Sequence, residues 1–193
     1  MLRILTVFMT MLMAIVAASP VRAAEPTANE CDQLAAHPYD LSKNVRGVVF
    51  DAIDPARAVT SCAAAFSEQP GVVRFMYQYG RTLLAAKRPD EAMVFIRSAA
   101  NSGYAAAQQS LATMLYEDDS LLADKIEAIR LFHKAAAQGH AVAQLRMASF
   151  YLRGDGGVRD MYKAEGFARQ AAEQGLPAAR TVLEMIASAR AIN

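Results

Sequence analysis

The chain carries almost no net charge, and no stretch of it is strongly basic. Among its 193 residues, lysine and arginine number 20 and aspartate and glutamate number 19, which leaves a formal net charge of +1. Proteins that bind nucleic acid or an anionic membrane surface through charge carry a basic patch or block. The composition therefore predicts that neither nucleic acid nor a charged lipid surface is the partner.

The chain also lacks the short motifs that mark catalytic and cofactor sites. It has no G-x-S-x-G, no P-loop and no G-x-G-x-x-G. Its three histidines, His37, His133 and His140, follow no metal-ligand spacing, so we expect them to be solvated. The acidic cluster within 117–124 departs from a calcium-loop spacing and is expected to be a solvated turn. The sequence thus predicts no catalytic residue, no metal and no cofactor.

Residues 1–23 have the layout of a secretory signal peptide. Arg3 provides the positive start, an apolar run follows from residue 4 to residue 18, and Val21 and Ala23 occupy the two positions that a signal peptidase reads. The alternative, an uncleaved membrane anchor, is disfavoured because the run is shorter than the ~20 apolar residues that a span needs. We expect cleavage after Ala23 and a periplasmic or secreted mature chain, 24–193, that does not span a membrane.

Only two cysteines occur, Cys31 and Cys62, and both follow the signal segment. Two cysteines in an oxidising compartment usually pair, and a bridge that closes a loop of about thirty residues stabilises a protein by ~3–4 kcal/mol. The alternative of a redox or nucleophilic pair is disfavoured because the spacing is not C-x-x-C. We predict a disulfide that pins an N-terminal cap segment, 24–70, to the first well-defined helix. Within that segment, Gly47–Asp51 is expected to be extended.

The most informative feature of the sequence is an internal period of 36 residues. Glycines, alanine pairs and large apolar residues recur in one register: Gly103, Gly139 and Gly175; Ala99-Ala100, Ala135-Ala136 and Ala171-Ala172; Phe95, Leu131 and Phe167; Tyr79, Leu115 and Tyr151. Within each unit, two apolar stripes follow steps of three and four, which predicts two helices. The recurrent glycine follows the second helix, where a residue with left-handed backbone commonly ends a helix. A period of this length is typical of a solenoid or an array.

The unit that ends at Gly175 carries a recognisable motif: Ala143-x3-Met147-Ala148-x2-Tyr151-x2-Gly154-x-Gly156-x-Val158-x-Asp160, then Lys163-Ala164, Phe167, Ala171-Ala172 and Gln174-Gly175. This motif resembles the Sel-one-like repeat (SLR), a relative of the tetratricopeptide repeat. The preceding unit keeps the second-helix positions but has acidic residues in place of the turn glycines, and the first unit matches more weakly.

The resemblance implies an all-α fold, a short right-handed α-solenoid of antiparallel helix pairs. It places the repeats over 71–193, at about 71–106, 107–142 and 143–178, with a C-terminal capping helix.

On the shared register, the residues between the packing positions of each first helix form a row of mixed chemistry. In stacked helical pairs the first helices line the concave face, which such proteins use to bind partners. Arginine, aromatic and methionine side chains are enriched at the centres of interfaces. The predicted partner-binding residues are Arg74, Tyr77, Gln78, Thr113, Met114, Arg146, Ser149 and Phe150. The alternative for Met114 and Phe150 is burial between units.

The resemblance implies a protein-binding scaffold or adaptor rather than an enzyme, one that holds a protein or peptide and regulates or assembles an envelope protein. One alternative is a β-lactam-binding or β-lactam-hydrolysing enzyme, because cysteine-rich relatives have been linked to that chemistry. Those relatives carry a cysteine pair inside each repeat, whereas residues 63–193 contain no cysteine. A secreted host-interaction factor fits the sequence as well as a periplasmic scaffold does.

Overall fold

The computed structural model of the chain describes residues 29–41, 45–117, 122–155, 157 and 159–191. Throughout these residues the regular structure is helical, with no strand. The helices are α1 (Glu30–Ala35), α2 (Pro55–Glu68), α3 (Val73–Ala85), α4 (Pro89–Asn101), α5 (Ala105–Glu117), α6 (Leu122–Ala137), α7 (Ala141–Arg153), α8 (Met161–Glu173) and α9 (Pro177–Ala191). A single 3-10 turn covers Phe50–Ala52. The all-α prediction is confirmed.

The predicted signal peptide, residues 1–23, lies outside the described residues, as do Asp118 and Asp119 of the acidic turn. None of the helices in the described part of the chain is long and apolar enough to cross a membrane.

The helices from α3 onward form consecutive antiparallel pairs, as the 36-residue period predicts. The pairs are α3 with α4, α5 with α6 and α7 with α8, and the second helix of each pair also packs on the first helix of the next. Local chemistry sets the helix ends. Pro89 and Pro177 stand at the first helical position, where a missing N–H costs nothing. Gly103, Gly139 and Gly175 have φ of +86°, +90° and +80°, which confirms their predicted left-handed role.

Small residues let the paired helices approach closely, and aromatic rings fill the remaining space. Alanines at the repeated positions are fully buried, at Ala92, Ala99, Ala128, Ala135, Ala164 and Ala171. A Cβ atom on Gly80 of α3 would lie only 2.8 Å from the Ile96 side chain of α4. The rings of Tyr79 and Phe95 lie 4.8 Å apart, and those of Tyr151 and Phe167, two units later, lie 5.9 Å apart. The first and third units therefore place a ring pair at the same register positions, tilted at 61° in the first unit and stacked at 6° in the third.

Glutamine side chains add a repeated polar link to this apolar packing. Gln108 Nε2 donates to the Ala100 carbonyl of the preceding helix at 3.3 Å, and Gln108 Oε1 accepts from Gln138 Nε2 at 2.8 Å. The equivalent residues 36 positions later, Gln144 and Gln174, repeat the second bond at 2.7 Å. Because buried polar groups are costly unless they are paired, this link fixes how consecutive helices meet.

The outer face of α9 differs from the corresponding face of α7. Where α7 has the buried Ala148 and the half-buried Leu152, the equivalent positions of α9 hold Glu184 and Ser188, and both are exposed. A polar outer face is what a terminal unit of a solenoid needs, because no further unit covers it. The sequence therefore makes α9 a capping helix.

The N-terminal segment is joined to the array by a disulfide between α1 and α2. Cys31 and Cys62 are bonded, with their Cα atoms 4.7 Å apart, which confirms the predicted pairing. Both cysteines are buried in a small cluster with Phe75 of α3. The expected extended backbone of Gly47–Asp51 continues only to Val49, since the 3-10 turn begins at Phe50.

Candidate functional site

The candidate binding surface is the first-helix face, which is the surface formed by the outward positions of α3, α5, α7 and α9. Positions 36 residues apart occupy equivalent places on these helices. We therefore compare each predicted site residue with its equivalents in the other units.

Three of the predicted partner-binding residues are buried in the first unit. Arg74 Nε donates to Asp32 Oδ1 at 2.8 Å and Arg74 Nη2 to Asp32 Oδ2 at 3.1 Å, with side-chain exposures of only 4% and 0%. Gln78 Nε2 also donates to Asp32 Oδ1, at 2.9 Å. These bonds join α3 to α1 inside the protein. The prediction that Arg74 and Gln78 contact a partner is corrected, because the chain's own N-terminal segment covers them.

Tyr77 is fully buried as well. Its hydroxyl lies 2.8 Å from Ser110 Oγ of α5, so it links two first helices. Its ring lies 5.5 Å from that of Tyr104 and 6.3 Å from that of His37. Burial raises the pKa of Tyr77, which keeps the hydroxyl protonated. Tyr77 is therefore a packing residue, and its predicted binding role is corrected.

Phe150 belongs to the core between units, which was the alternative interpretation of this residue. Its ring lies 5.2 Å from Tyr116 and 5.7 Å from Phe132, and the side chain is buried. Met114 is partly buried against the same core. Phe150 is therefore a core residue rather than a partner contact, whereas the partner-binding role of Met114 stays a prediction.

The remaining predicted residues, Thr113, Arg146 and Ser149, are half-buried on the surface. Arg146 Nη2 lies 3.7 Å from Glu117 Oε1, in an ion pair that crosses from α7 to α5. Thr113 Oγ1 accepts from Gln109 Nε2 at 2.9 Å. Ser149 Oγ donates to the carbonyl of Leu145 within α7. These side chains are accessible to another molecule, and their binding role stays a prediction.

A loop that follows α1 crosses the upstream part of the first-helix face. We call it the N-terminal loop; the structure describes it at residues 36–41 and 45–48. Its two limbs meet where Val48 N donates to Ala36 O at 2.7 Å. A Cβ atom on Gly47 would lie 2.3 Å from Pro38 Cα, so only glycine permits this approach.

The side chain of Arg81 on α3 holds the base of this loop. Its Nη1 donates to Ala35 O at 2.7 Å and its Nη2 to Val48 O at 2.9 Å, so one guanidinium bonds both limbs. Burial lowers the pKa of Arg81, while the neighbouring Tyr77 and Asp40 act in the opposite direction. The group remains charged, because an arginine pKa starts far above neutral pH.

The tip of the loop contacts all three repeats. The His37 ring packs near Tyr77 of the first unit, and the Tyr104 hydroxyl, just before α5, donates to Asp40 Oδ2. The Tyr39 ring packs against the apolar cluster at the start of α7 and α9, whose buried members are Ala141, Ala171, Leu176 and Ala179. The loop thus lies across the array in the way that a bound peptide would.

His140 corrects the expectation that the histidines are solvated. It is fully buried, and its ring lies 5.2 Å from that of His37. His133 is exposed, as expected. No group of three or more potential metal ligands occurs among the described residues.

The sequence interpretation did not identify Arg81, Tyr104 or the α9 part of the surface. The 36-residue register indicates Val182 and Met185 on α9 as further surface positions, because they lie 36 residues after Arg146 and Ser149. No periodic signal marks Arg81 and Tyr104, since their partner is the non-repetitive N-terminal loop.

Comparison with known proteins agrees with this architecture. A family model for the Sel1 repeat matches residues 105–140 and 141–176, which begin at the first residues of α5 and α7. Sel1 repeats are generally non-catalytic scaffolds, and proteins that contain them typically bind other proteins. No curated protein matches the chain.

Two solved structures are similar to the chain. A Sel1 repeat protein from Oxalobacter formigenes is 26% identical, with a TM-score of 0.57, over 66% of this chain and 98% of that one. A protective antigen present in uropathogenic Escherichia coli strains, which displays an SLR fold, is 30% identical with a TM-score of 0.54. That match covers 63% of this chain and 27% of the antigen, so this chain spans only about a quarter of it. Residues 105–176 thus match the Sel1 repeat model, and the helix pairs of the described chain have a fold similar to that of these solved Sel1 repeat structures.

Proposed function

We propose that this chain is an exported scaffold, periplasmic or secreted, that binds a segment of another protein on the downstream part of its first-helix face. This downstream face consists of the outward side chains of α5, α7 and α9. In the proposed role the chain regulates or assembles an envelope protein. A secreted factor that binds a host protein would use the same surface.

The observation that carries the proposal is a gradient of exposure along equivalent positions. Tyr77 in the first unit is fully buried, Thr113 and Ser149 are half-buried, and Met185 on α9 is 55% exposed. In a second row at the same step, Val73 is half-buried, Gln109 is buried, Leu145 is half-buried and Thr181 on α9 is exposed, so this row also becomes exposed only at α9. The N-terminal segment buries Tyr77 in the first unit, and the equivalent positions become more exposed toward α9.

The chemistry of the downstream face suits a protein partner. Met185 offers an exposed, flexible apolar side chain, and such residues adapt well to a partner surface. On α7 and α5, Arg146 and Glu117 form an ion pair with side-chain exposures of 42% and 66%. Accessible charged groups together with exposed apolar side chains are the usual components of a protein interface.

The disulfide supports the exported location, because such bonds persist in oxidising compartments and are rare in the cytosol. The signal-peptide layout of residues 1–23 points the same way. Both observations are independent of the binding surface.

The test compares two exposed apolar residues on opposite sides of the array. Met185→Glu places a charge on the downstream face, and Ile126→Glu, at a residue 64% exposed on second helix α6, is the matched control. Tagged mature protein is used to capture partners from an envelope extract, and the captured protein is titrated against each variant. We expect Met185→Glu to weaken binding at least tenfold and Ile126→Glu to leave it unchanged. The reverse order would place the interface on the second helices and contradict the proposal.

A further inference from the structure

We infer that the N-terminal loop is an internal ligand, and that the site beneath it accepts an extended partner segment in which an aromatic residue is followed directly by an acidic one. This inference rests on the proposed function, because it describes how access to the part of the first-helix face that the loop covers, from α3 to the start of α9, is controlled. The loop occupies that part in the structure, and a partner segment of like chemistry replaces it.

The contacts of Tyr39 define the first requirement of such a segment. Its ring packs against an apolar cluster whose buried members are Ala141 of α7, Ala171 of α8, Leu176 just before α9, and Ala179 of α9. Three of these four residues are alanines, and three helices contribute to the cluster. An aromatic side chain fits there because it buries a large apolar area at low cost in conformational entropy.

The contacts of Asp40 define the second requirement. This carboxylate is buried, it accepts a hydrogen bond from the Tyr104 hydroxyl, and it lies close enough to Arg81 to influence the guanidinium pKa. A hydroxyl donor and a buried cation together favour a negatively charged group, since an unpaired buried charge is costly. The site therefore recognises an acid immediately after the aromatic residue.

The loop is tethered at its base, and its tip carries the recognition side chains. The disulfide and the two hydrogen bonds from Arg81 hold the base, so the tip is present at a high effective concentration, of the order of millimolar for a short tether. At the tip, Leu41 is 59% exposed. The surface that receives Tyr39 adjoins α9, so a partner bound on the downstream face would reach it directly.

The site can be opened without changing any residue that forms it. Gly47→Ala introduces a Cβ atom 2.3 Å from the Pro38 backbone and so forces the two limbs of the loop apart. The double variant Tyr39→Ser with Asp40→Asn removes the internal ligand's side chains instead. The probe is a labelled peptide with the sequence of residues 36–41, and its binding is followed by fluorescence anisotropy.

We expect the peptide to bind each opened variant at least tenfold more tightly than the wild-type chain. A peptide in which the aspartate is replaced by asparagine should bind the opened variants at least tenfold more weakly than the parent peptide. Circular dichroism of each variant verifies that the helices are retained, and if one variant does not fold, the other still tests the inference. Equal binding to opened and wild-type protein, or equal binding of the two peptides, would overturn it.

The peptide-binding test of the internal-ligand inference can fail or succeed independently of the partner-capture test of the proposed function. Met185→Glu in the Gly47→Ala background should leave peptide binding unchanged while it weakens partner binding at least tenfold. Partner capture without peptide binding refutes the internal-ligand inference alone. Peptide binding without partner capture refutes the downstream face alone.

Discussion

Removal of the Arg74 side chain should destabilise the N-terminal cap rather than weaken partner binding. In the wild-type chain, Arg74 neutralises the completely buried carboxylate of Asp32, and both Arg74 and Gln78 donate hydrogen bonds to it. Arg74→Ala leaves that carboxylate buried without its cation, a loss that typically costs ~3–5 kcal/mol. At about 2–4 °C per kcal/mol for a domain of this size, the melting temperature of residues 24–193 should fall by roughly 6–20 °C.

The assay is a pair of thermal melts, followed by circular dichroism, with a matched control. Arg88→Ala breaks an ion pair to Glu91 in which both side chains are about half exposed, so the melting temperature should hardly change. Replacement of both Arg74 and Asp32 by apolar residues of similar size should recover much of the loss, because no charge remains buried. If Arg74→Ala melts like the wild-type chain but binds partner poorly, Arg74 is a contact residue, and the covering of the first unit described above is refuted.

The remaining predictions concern the disulfide, a helix end and a surface carboxylate. Reduction of the bond between Cys31 and Cys62 should lower the melting temperature and retain most helical signal, whereas full labelling of both thiols before reduction would disprove the pairing. Gly139→Val should lower the free energy of unfolding in urea by more than ~1 kcal/mol, because Gly139 has a φ of +90°. Gly166→Val is the control and should lower it by less, because a Cβ atom on Gly166 of α8 would meet nothing within 4 Å. Equal losses in the two variants would show that the left-handed backbone of Gly139 is not the cause. Hydrogen bonds from two arginines lower the pKa of Glu165, so its stabilising contribution is present above the unfolded pKa of about 4.3 and is lost as pH falls through the folded pKa. Glu165→Gln should therefore reduce the fall in melting temperature on acidification below that pH, and an unchanged pH profile would contradict this.

The repeat register predicts the array well because its packing is local. Buried alanines such as Ala92 and Ala128 contact neighbouring helices at fixed sequence distances, so the same solution recurs every 36 residues. The helix-ending glycines follow from the same regularity. The fold of residues 71 onward was accessible from the sequence for this reason.

The candidate site was less predictable because the first unit is covered by a segment outside the repeat. The register treats Arg74 and Tyr77 as equivalents of half-buried residues in later units, but α1 and the N-terminal loop bury them. His140 follows a helix-ending glycine, which usually indicates an exposed turn, yet the same loop places His37 beside it. Contacts between a unique segment and a repeat have no periodic signature, and the sequence alone could not reveal them.

The interface on the first-helix face is tested most directly by site-specific photo-crosslinking of the full chain in living cells. A photoreactive phenylalanine analogue is placed at Ser149, on the downstream face, and in a separate strain at Ile126, on the second helix α6. We expect a discrete adduct with another protein from position 149 and none from position 126. An adduct from position 126 alone, or none from position 149, would contradict the claim that the chain binds its partner on the first-helix face.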